Sequence, residues 1–159
     1  MKSDVNQLLK HFNDKNNFGR AQGVRFEVHD DDTVHLFMTI QDHHLSSPGV
    51  AHGGAISGFM DSVLGVTALY EAFKHGNICS TVEFKLNFIK PVYLGDQLCG
   101  QGFIDYKGQS LVVVSGDIRD AKTNAIKAKG LGTFNLYPLE KKEFLTEFIQ
   151  ERGDTHEPK

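Results

Sequence analysis

Hydrophobic positions change rhythm along this chain, and the changes mark its elements. Val5, Leu8, Leu9 and Phe12 recur at helical spacing across residues 3–14, which predicts an amphipathic helix. Val24 to Val28 and Val34 to Ile40 read instead as two strands, parted by the turn Asp30-Asp31-Asp32. The segment QDHHLSSPGVA at 41–51 is rich in turn formers and reads as a loop. It leads into GGAISGFMDSVLGVTALY, whose bulky residues Ile56, Phe59, Met60, Val63, Leu64 and Leu69, continued by Phe73, keep helical spacing. Nearly every face of that helix is apolar, so other structure must wrap it on most sides, as a strongly curved sheet would. Four strand candidates follow at 78–89, 97–106, 110–119 and 125–136, divided by Pro91 and Gly95-Asp96, by Gly108, and by Thr123-Asn124. They read as a meander. After Pro138, residues Phe144, Leu145, Phe148 and Ile149 form one face of a short helix over about 139–150 that covers a sheet edge or a subunit surface, and the tail from about Gly153 is expected to be disordered. The order of hairpin, long helix and meander, bracketed by short terminal helices, predicts an α+β fold.

The 159 residues fit a single domain spanning 1–159, with no Pro-, Gly- or Ser-rich linker to divide it. A net charge of -3, with basic residues scattered, argues against nucleic acid as a partner. The longest apolar run is too broken to span a membrane. Cys79 and Cys99 form no close metal or redox motif, and with no signal peptide or spanning segment in view a reducing cytoplasm is the default.

Asp61 is the lone acid in the run Gly53 to Tyr70, which His52-Gly53-Gly54 opens. A buried carboxylate costs energy, so a use for it is expected, and it is expected inside rather than on a rim. Its stripe is small (Gly54, Ser57, Gly58, Gly65, Ala68), so a ligand or another chain can approach the backbone closely. Where the helix begins, N–H groups lack intrahelical partners and the positive dipole end lies behind them, a setting for a developing oxyanion at Gly53. Donor and carboxylate together suggest hydrolysis or acyl transfer. Gly53 and Asp61 are eight residues apart, about 12 Å along a helix, too far for one carbonyl to meet both. They should therefore come from different subunits, in a site shared across a dimer interface.

GVAHGG, the acid nine residues after the His, TVEFKLNFIKP and the Leu94-Gly95-Asp96 turn stand in an order and spacing that resembles the hotdog-fold acyl-CoA thioesterases of the phenylacetate-pathway type, in the 4-hydroxybenzoyl-CoA thioesterase superfamily. The resemblance covers about residues 20–137. It implies a curved antiparallel sheet wrapped around a long central helix, a homodimer at least with dimers pairing into tetramers, and coenzyme A esters as substrates. It implies that the Gly53 N–H meets the thioester carbonyl while Asp61 activates water or attacks directly. Thr81 stands ten residues before Pro91, where the family often places a hydroxyl near the attacking water; packing in its strand is the other reading. Many relatives carry Asn six residues before the motif His, and this chain has Ser46. Either Ser46 works through a bridging water, or His43 or His44 fills the place, or the loop register differs. His52 pins the helix start through a hydrogen bond or takes part in chemistry. For the nucleotide, Lys90 and the turn Lys107-Gly108-Gln109-Ser110 are the candidates to meet phosphates. No cofactor beyond the substrate's own coenzyme A is expected. No metal is expected either, because the set His29, His35, His43, His44 and His52 contains no HxxxH or HxH pair.

Two other readings compete. A hotdog hydratase or dehydratase is hinted at by His44 and Pro48-Gly49-Val50, but its acid would follow that phrase within about a helical turn, whereas Asp61 comes eleven residues after Val50. A non-catalytic module that binds acyl thioesters would have no need of a carboxylate in the groove.

Overall fold

The computed structural model describes residues 2–153, so the tail expected to be disordered lies, from residue 154, outside the described residues. Helix α1 (Lys2–Lys15) is followed by the short α2 (Asn17–Ala21), which the apolar rhythm does not announce. Strands β1 (Arg25–Val28) and β2 (Val34–Thr39) form the expected hairpin. The expected loop resolves into a 3₁₀ turn at Asp42–His44 and a small ribbon of β3 (Leu45–Ser47) and β4 (Val50–Ala51). The central helix α3 runs Gly53–Phe73. Strands β5 (Asn77–Phe88), β6 (Gln97–Lys107), β7 (Leu111–Asp120) and β8 (Ile126–Pro138) lead through a 3₁₀ turn to α4 (Glu143–Gly153).

The sheet is antiparallel in the order β1-β2-β6-β7-β8-β5, which corrects the simple meander. Only β6, β7 and β8 meander; β6 pairs with β2, and β5 lies on the far side of β8, from Asn77 opposite Pro138 to Phe88 opposite Ala128. The reason lies in the connection 89–96, too long and too Pro-interrupted for a tight hairpin. It crosses the end of the sheet to reach β2, where the Ile40 N–H donates to the Asp96 carbonyl and the Gly95 N–H to the Ile40 carbonyl. One outer edge of the sheet is therefore β5, with β8 as its single neighbour.

Helix α3 lies in the concave face. Directly beneath it, Gly102, Gly116 and Gly130 stand opposite one another on β6, β7 and β8. A Cβ on Gly116 would lie 2.9 Å from Leu64 Cδ2 and 3.0 Å from the Gln101 carbonyl oxygen; one on Gly130 would lie 2.7 Å from Met60 Sδ. Leu64 and Met60 are fully buried there, so the missing side chains are what let the helix come down onto the sheet. The rest of the wrap is helical. Val5, Leu8 and Leu9 of α1 bury against the same core, and Leu145 of α4 joins it while the His11 ring of α1 stacks on Phe148 at 4.3 Å. Among the described residues, no helix is long and apolar enough to cross a membrane.

Replacing Gly116 with Ala overpacks this contact against backbone as well as side chain, and should cost about 1–3 kcal/mol of stability in urea unfolding, with the slope unchanged. An unchanged midpoint would show that the helix does not need the row.

Candidate active site

Asp61 lies midway along α3, on the wall of a cleft of about 360 Å³, so it is half-buried at a surface and not enclosed in the core. The correction has a local cause: its neighbours on that face are glycines and serines, too small to roof it. Thr81 of β5 reaches it across the cleft, its Oγ1 donating to Asp61 Oδ1 at 3.1 Å. Between Thr81 and Glu83 the β5–β8 register shifts, a bulge at Val82 beside the one strand residue that touches the carboxylate. Burial raises the Asp61 carboxyl above its ordinary range, and the Thr81 hydrogen bond offsets this in part. Cys79, in the same cleft, is pushed up to about 12 by burial and by the charge of Asp61, so it stands as a thiol and not a nucleophile.

The helix start is built in layers. His52 is the N-cap of α3, with its Nδ1 accepting the Gly54 N–H at 2.7 Å. The second glycine of His-Gly-Gly is thereby explained, since a Cβ on Gly54 would lie 2.8 Å from that nitrogen. The His52 N–H donates to the His44 carbonyl at 2.7 Å. His44 is itself 1% exposed, and its Nδ1 accepts the Gln41 N–H at 3.0 Å, which places the ring proton on Nε2. Burial, then the neighbouring His43, hold its pKa below the ordinary imidazole value and keep it neutral. His44 thus supports the loop from within. The Ser46 hydroxyl faces the Val50 carbonyl at 3.5 Å within the ribbon.

The Gly53 N–H has no acceptor among the described residues. It opens onto a second cleft of about 290 Å³, whose walls include Phe88, Lys90, Pro91 and Lys127. Phe88 covers the glycine so closely that a Cβ would lie 3.3 Å from its ring. Gly53 and Asp61 of one chain therefore face different clefts. Lys90 stands beside the helix start, but the turn at Lys107 is at the other end of α3: Lys107, Gly108 and Gln109 line a third cleft of about 190 Å³ with Glu71 and His75. Lys107 Nζ donates to Glu71 Oε1 at 2.8 Å and also contacts His75. The Ser110 carbonyl accepts the Leu136 N–H at 2.7 Å. The structure separates this turn from Lys90.

Three residues that the sequence reading passed over enter the site. Asn16 and Phe18 line the Asp61 cleft from α2, and Asn16 before Phe18-Gly19 is an N-cap pattern that was there to be read. Lys127 ties down the Pro91–Asp96 turn, donating to the Pro91 carbonyl at 3.0 Å and to Asp96 Oδ2 at 3.3 Å. The histidines pair, His29 with His35 and His43 with His44, yet among the described residues no three His, Cys, Asp or Glu side chains gather into a metal-holding group.

A sheet curved around one long helix, with the Gly53 N–H bare at the helix start and an acid midway along it, defines a hotdog-fold protein. The chain belongs to the thioesterase superfamily, whose family profile matches residues 48–127, half of the sequence. Solved structures agree in fold. The E. coli PaaI protein of the phenylacetic acid degradation operon is 16% identical, with 85% of this chain and 94% of that one covered and a TM-score of 0.76. A thioesterase of Haemophilus influenzae is 18% identical (87% and 92% covered, TM-score 0.72). A hypothetical thioesterase of Streptococcus pneumoniae, solved with coenzyme A, is 22% identical (72% and 86% covered, TM-score 0.63). Comparison with curated proteins finds no match.

The Asp61 environment carries a sign that can be tested. Its folded pKa is raised, so ionised Asp61 opposes folding, by an amount that grows as pH rises from the ordinary value of 3.8 to the folded pKa and then stays constant. Asp61→Asn keeps an acceptor for Thr81 and removes that charge. The variant should melt higher than wild type at pH 7, and the gap should close as the pH is lowered toward 4. A variant that melts lower at pH 7 would show that the carboxylate is stabilised, not strained, in the cleft.

Proposed function

We propose that this thioesterase hydrolyses acyl-coenzyme A at a site completed by two copies of the chain, with Gly53 of one and Asp61 of the other. The observation that carries the reading is the separation of these groups into different clefts of one chain, together with their distance of about 12 Å along α3. The open edge of β5 offers the means of assembly: two such edges pair antiparallel about a twofold axis, extending the sheet across the dimer. Two dimers would make the tetramer that the family resemblance implies.

In this site the thioester carbonyl oxygen accepts the Gly53 N–H, where the helix dipole favours the charge that develops on it. Thr81 holds Asp61 Oδ1, leaving Oδ2 to take a proton from water as the water oxygen bonds to the carbonyl carbon. The tetrahedral intermediate then collapses, the carbon–sulfur bond breaks, and the thiolate leaves and is protonated, giving free coenzyme A and a carboxylic acid. A raised pKa suits a carboxylate to this work as a base. The coenzyme A bound to the S. pneumoniae relative supports the choice of carrier. Lys90, exposed beside the helix start, is the side chain we assign to its phosphates. Lys107 is already paired with Glu71, so its turn is left out of the assignment. His52 is a positioning residue. No further cofactor enters the scheme, and the two free thiols accord with residence in a reducing cytoplasm.

Release of free thiol from a panel of acyl-CoAs tests the activity, and Asp61→Asn should lower kcat/KM by about a hundredfold or more. The partner donor can be removed by a substitution the helix start accepts, with the Phe88 ring, 3.3 Å from a Cβ at Gly53, giving way slightly. Proline is welcome at the first helical position and His52, at φ -67° and ψ 138°, already has the extended backbone that precedes proline, so Gly53→Pro deletes the N–H without breaking α3. Each variant alone should be nearly inactive. Mixed and allowed to exchange subunits, they should recover about a quarter of the wild-type rate, because half of the dimers are mixed and each holds one intact site. No recovery despite exchange would put both groups in one chain's site. Binding without turnover in the wild type would make the protein an acyl-thioester-binding module instead.

A further inference from the structure

We infer that Phe18, set by Asn16, is the acyl-end wall of the Asp61 cleft and fixes both the size and the chemical class of the acyl group, which is uncharged and apolar. The inference rests on the thioesterase reading of this site and goes on to say which thioesters the site admits.

Phe18 is a large aromatic that the core does not use. It is 55% exposed, yet its ring lies against α3 at Gly58, where a Cβ would come within 2.7 Å of its Cζ. Gly58 is three residues before Asp61, on the same side of the helix. The ring is therefore seated on a backbone kept bare for it, beside the reacting carboxylate. What holds it there is rigid for so short an element. Asn16 Oδ1 accepts the Gly19 N–H at 3.0 Å, and the turn is closed so tightly that a Cβ on Gly19 would lie 2.8 Å from Asn16 Nδ2. The Val24 N–H donates to the Gly19 carbonyl at 2.9 Å, tying the turn to the first strand.

Asp61 and Thr81 supply the cleft's reactive groups; the Phe18 ring walls it on the Gly58 side of Asp61, and Phe12, Val66 and Leu69 supply apolar wall further along α3. Among the described residues of this chain, no Lys, Arg or His lines it, and the carboxyl that does is Asp61 itself. An acyl group ending in a carboxylate would lose its hydration, find no cation and face a like charge. An aliphatic or aryl group would exchange water for rings and branched side chains. Phe12 and Phe18 precede residues 48–127, the part matched by the family profile, so this wall is carried by the chain's own N-terminal helices.

The test uses paired ligands: a series of straight-chain and aryl acyl-CoAs, with succinyl-CoA, for turnover, and the same groups as non-hydrolysable thioether analogues of coenzyme A for binding. Phe18→Ala should shift the preference toward longer and bulkier groups, changing the long-to-short ratio of kcat/KM and of binding constants by about tenfold or more. Phe18→Trp should shift it the other way. Succinyl-CoA should be the poorest substrate and its thioether the poorest ligand. Uniform loss across the series, or a ratio unchanged in both variants, would make Phe18 a packing residue and overturn the inference. So would a succinyl group bound as well as a butyryl one. The thioether series reads the wall even when no thiol is released, so failure of the hydrolase reading is distinguishable from failure of this one.

Discussion

The close seating of α3 on the sheet is the constraint on which the rest of the molecule depends. Three strands give up their side chains where the helix comes down: Gly116 and Gly130 let Met60, Val63 and Leu64 be buried to completion, and Gly102 leaves room for Thr67. With that face fixed, the rotation of the helix is fixed too, and Gly54, Ser57, Gly58 and Gly65 of the small stripe are left at the surface while Ala68 is buried. The hydroxyls near that stripe settle their own needs. Ser57 Oγ donates back to the Gly53 carbonyl at 2.8 Å and Ser62 Oγ to the Gly58 carbonyl at 3.0 Å. On that stripe Asp61 is left to be answered by another element, and Thr81 answers half of it.

The two ends of the helix are furnished for opposite purposes. At the start, the Nδ1 atoms of His44 and His52 accept backbone N–H groups, which ties the loop to the helix cap, while the Gly53 N–H has no acceptor among the described residues. At the finish, charges answer one another: burial pushes the Glu71 carboxyl up, Lys107 and Lys74 outweigh it, and the carboxyl ends below its usual range. Lys74 also sits well at the negative end of the dipole. One end is kept ready for a visitor, and the other is closed by ion pairs.

Much of this was legible in the sequence because period reports faces. The rhythm of Ile56, Phe59, Met60, Val63 and Leu64 announced α3, and a lone acid among them announced Asp61. Period does not report partners. Alternation in 78–89 made a strand but could not say that it would cross to β8, which depends on where the 89–96 connection runs. Nor could it reveal the order in which His44, His52 and Gly54 stack, since those contacts join a 3₁₀ turn to a helix cap. The helix α2 is too short to show a period at all, so no spacing singles out Phe18. The pairing of Lys107 was hidden for a related reason: its neighbour Glu71 is 36 residues away and reaches it only through the fold.

The bulge at Val82 has a consequence for how the gene can change. In a regular strand, adding or losing one codon turns every later side chain to the opposite face. At Val82 the strand already holds one residue more than its partner, so Thr81 keeps Phe134 opposite it and Glu83 keeps Thr133 with the extra residue set aside. Length and facing are uncoupled at that point of β5. An indel there would leave the faces of the strand in place and act only on the aim of its neighbour, the hydroxyl that holds Asp61.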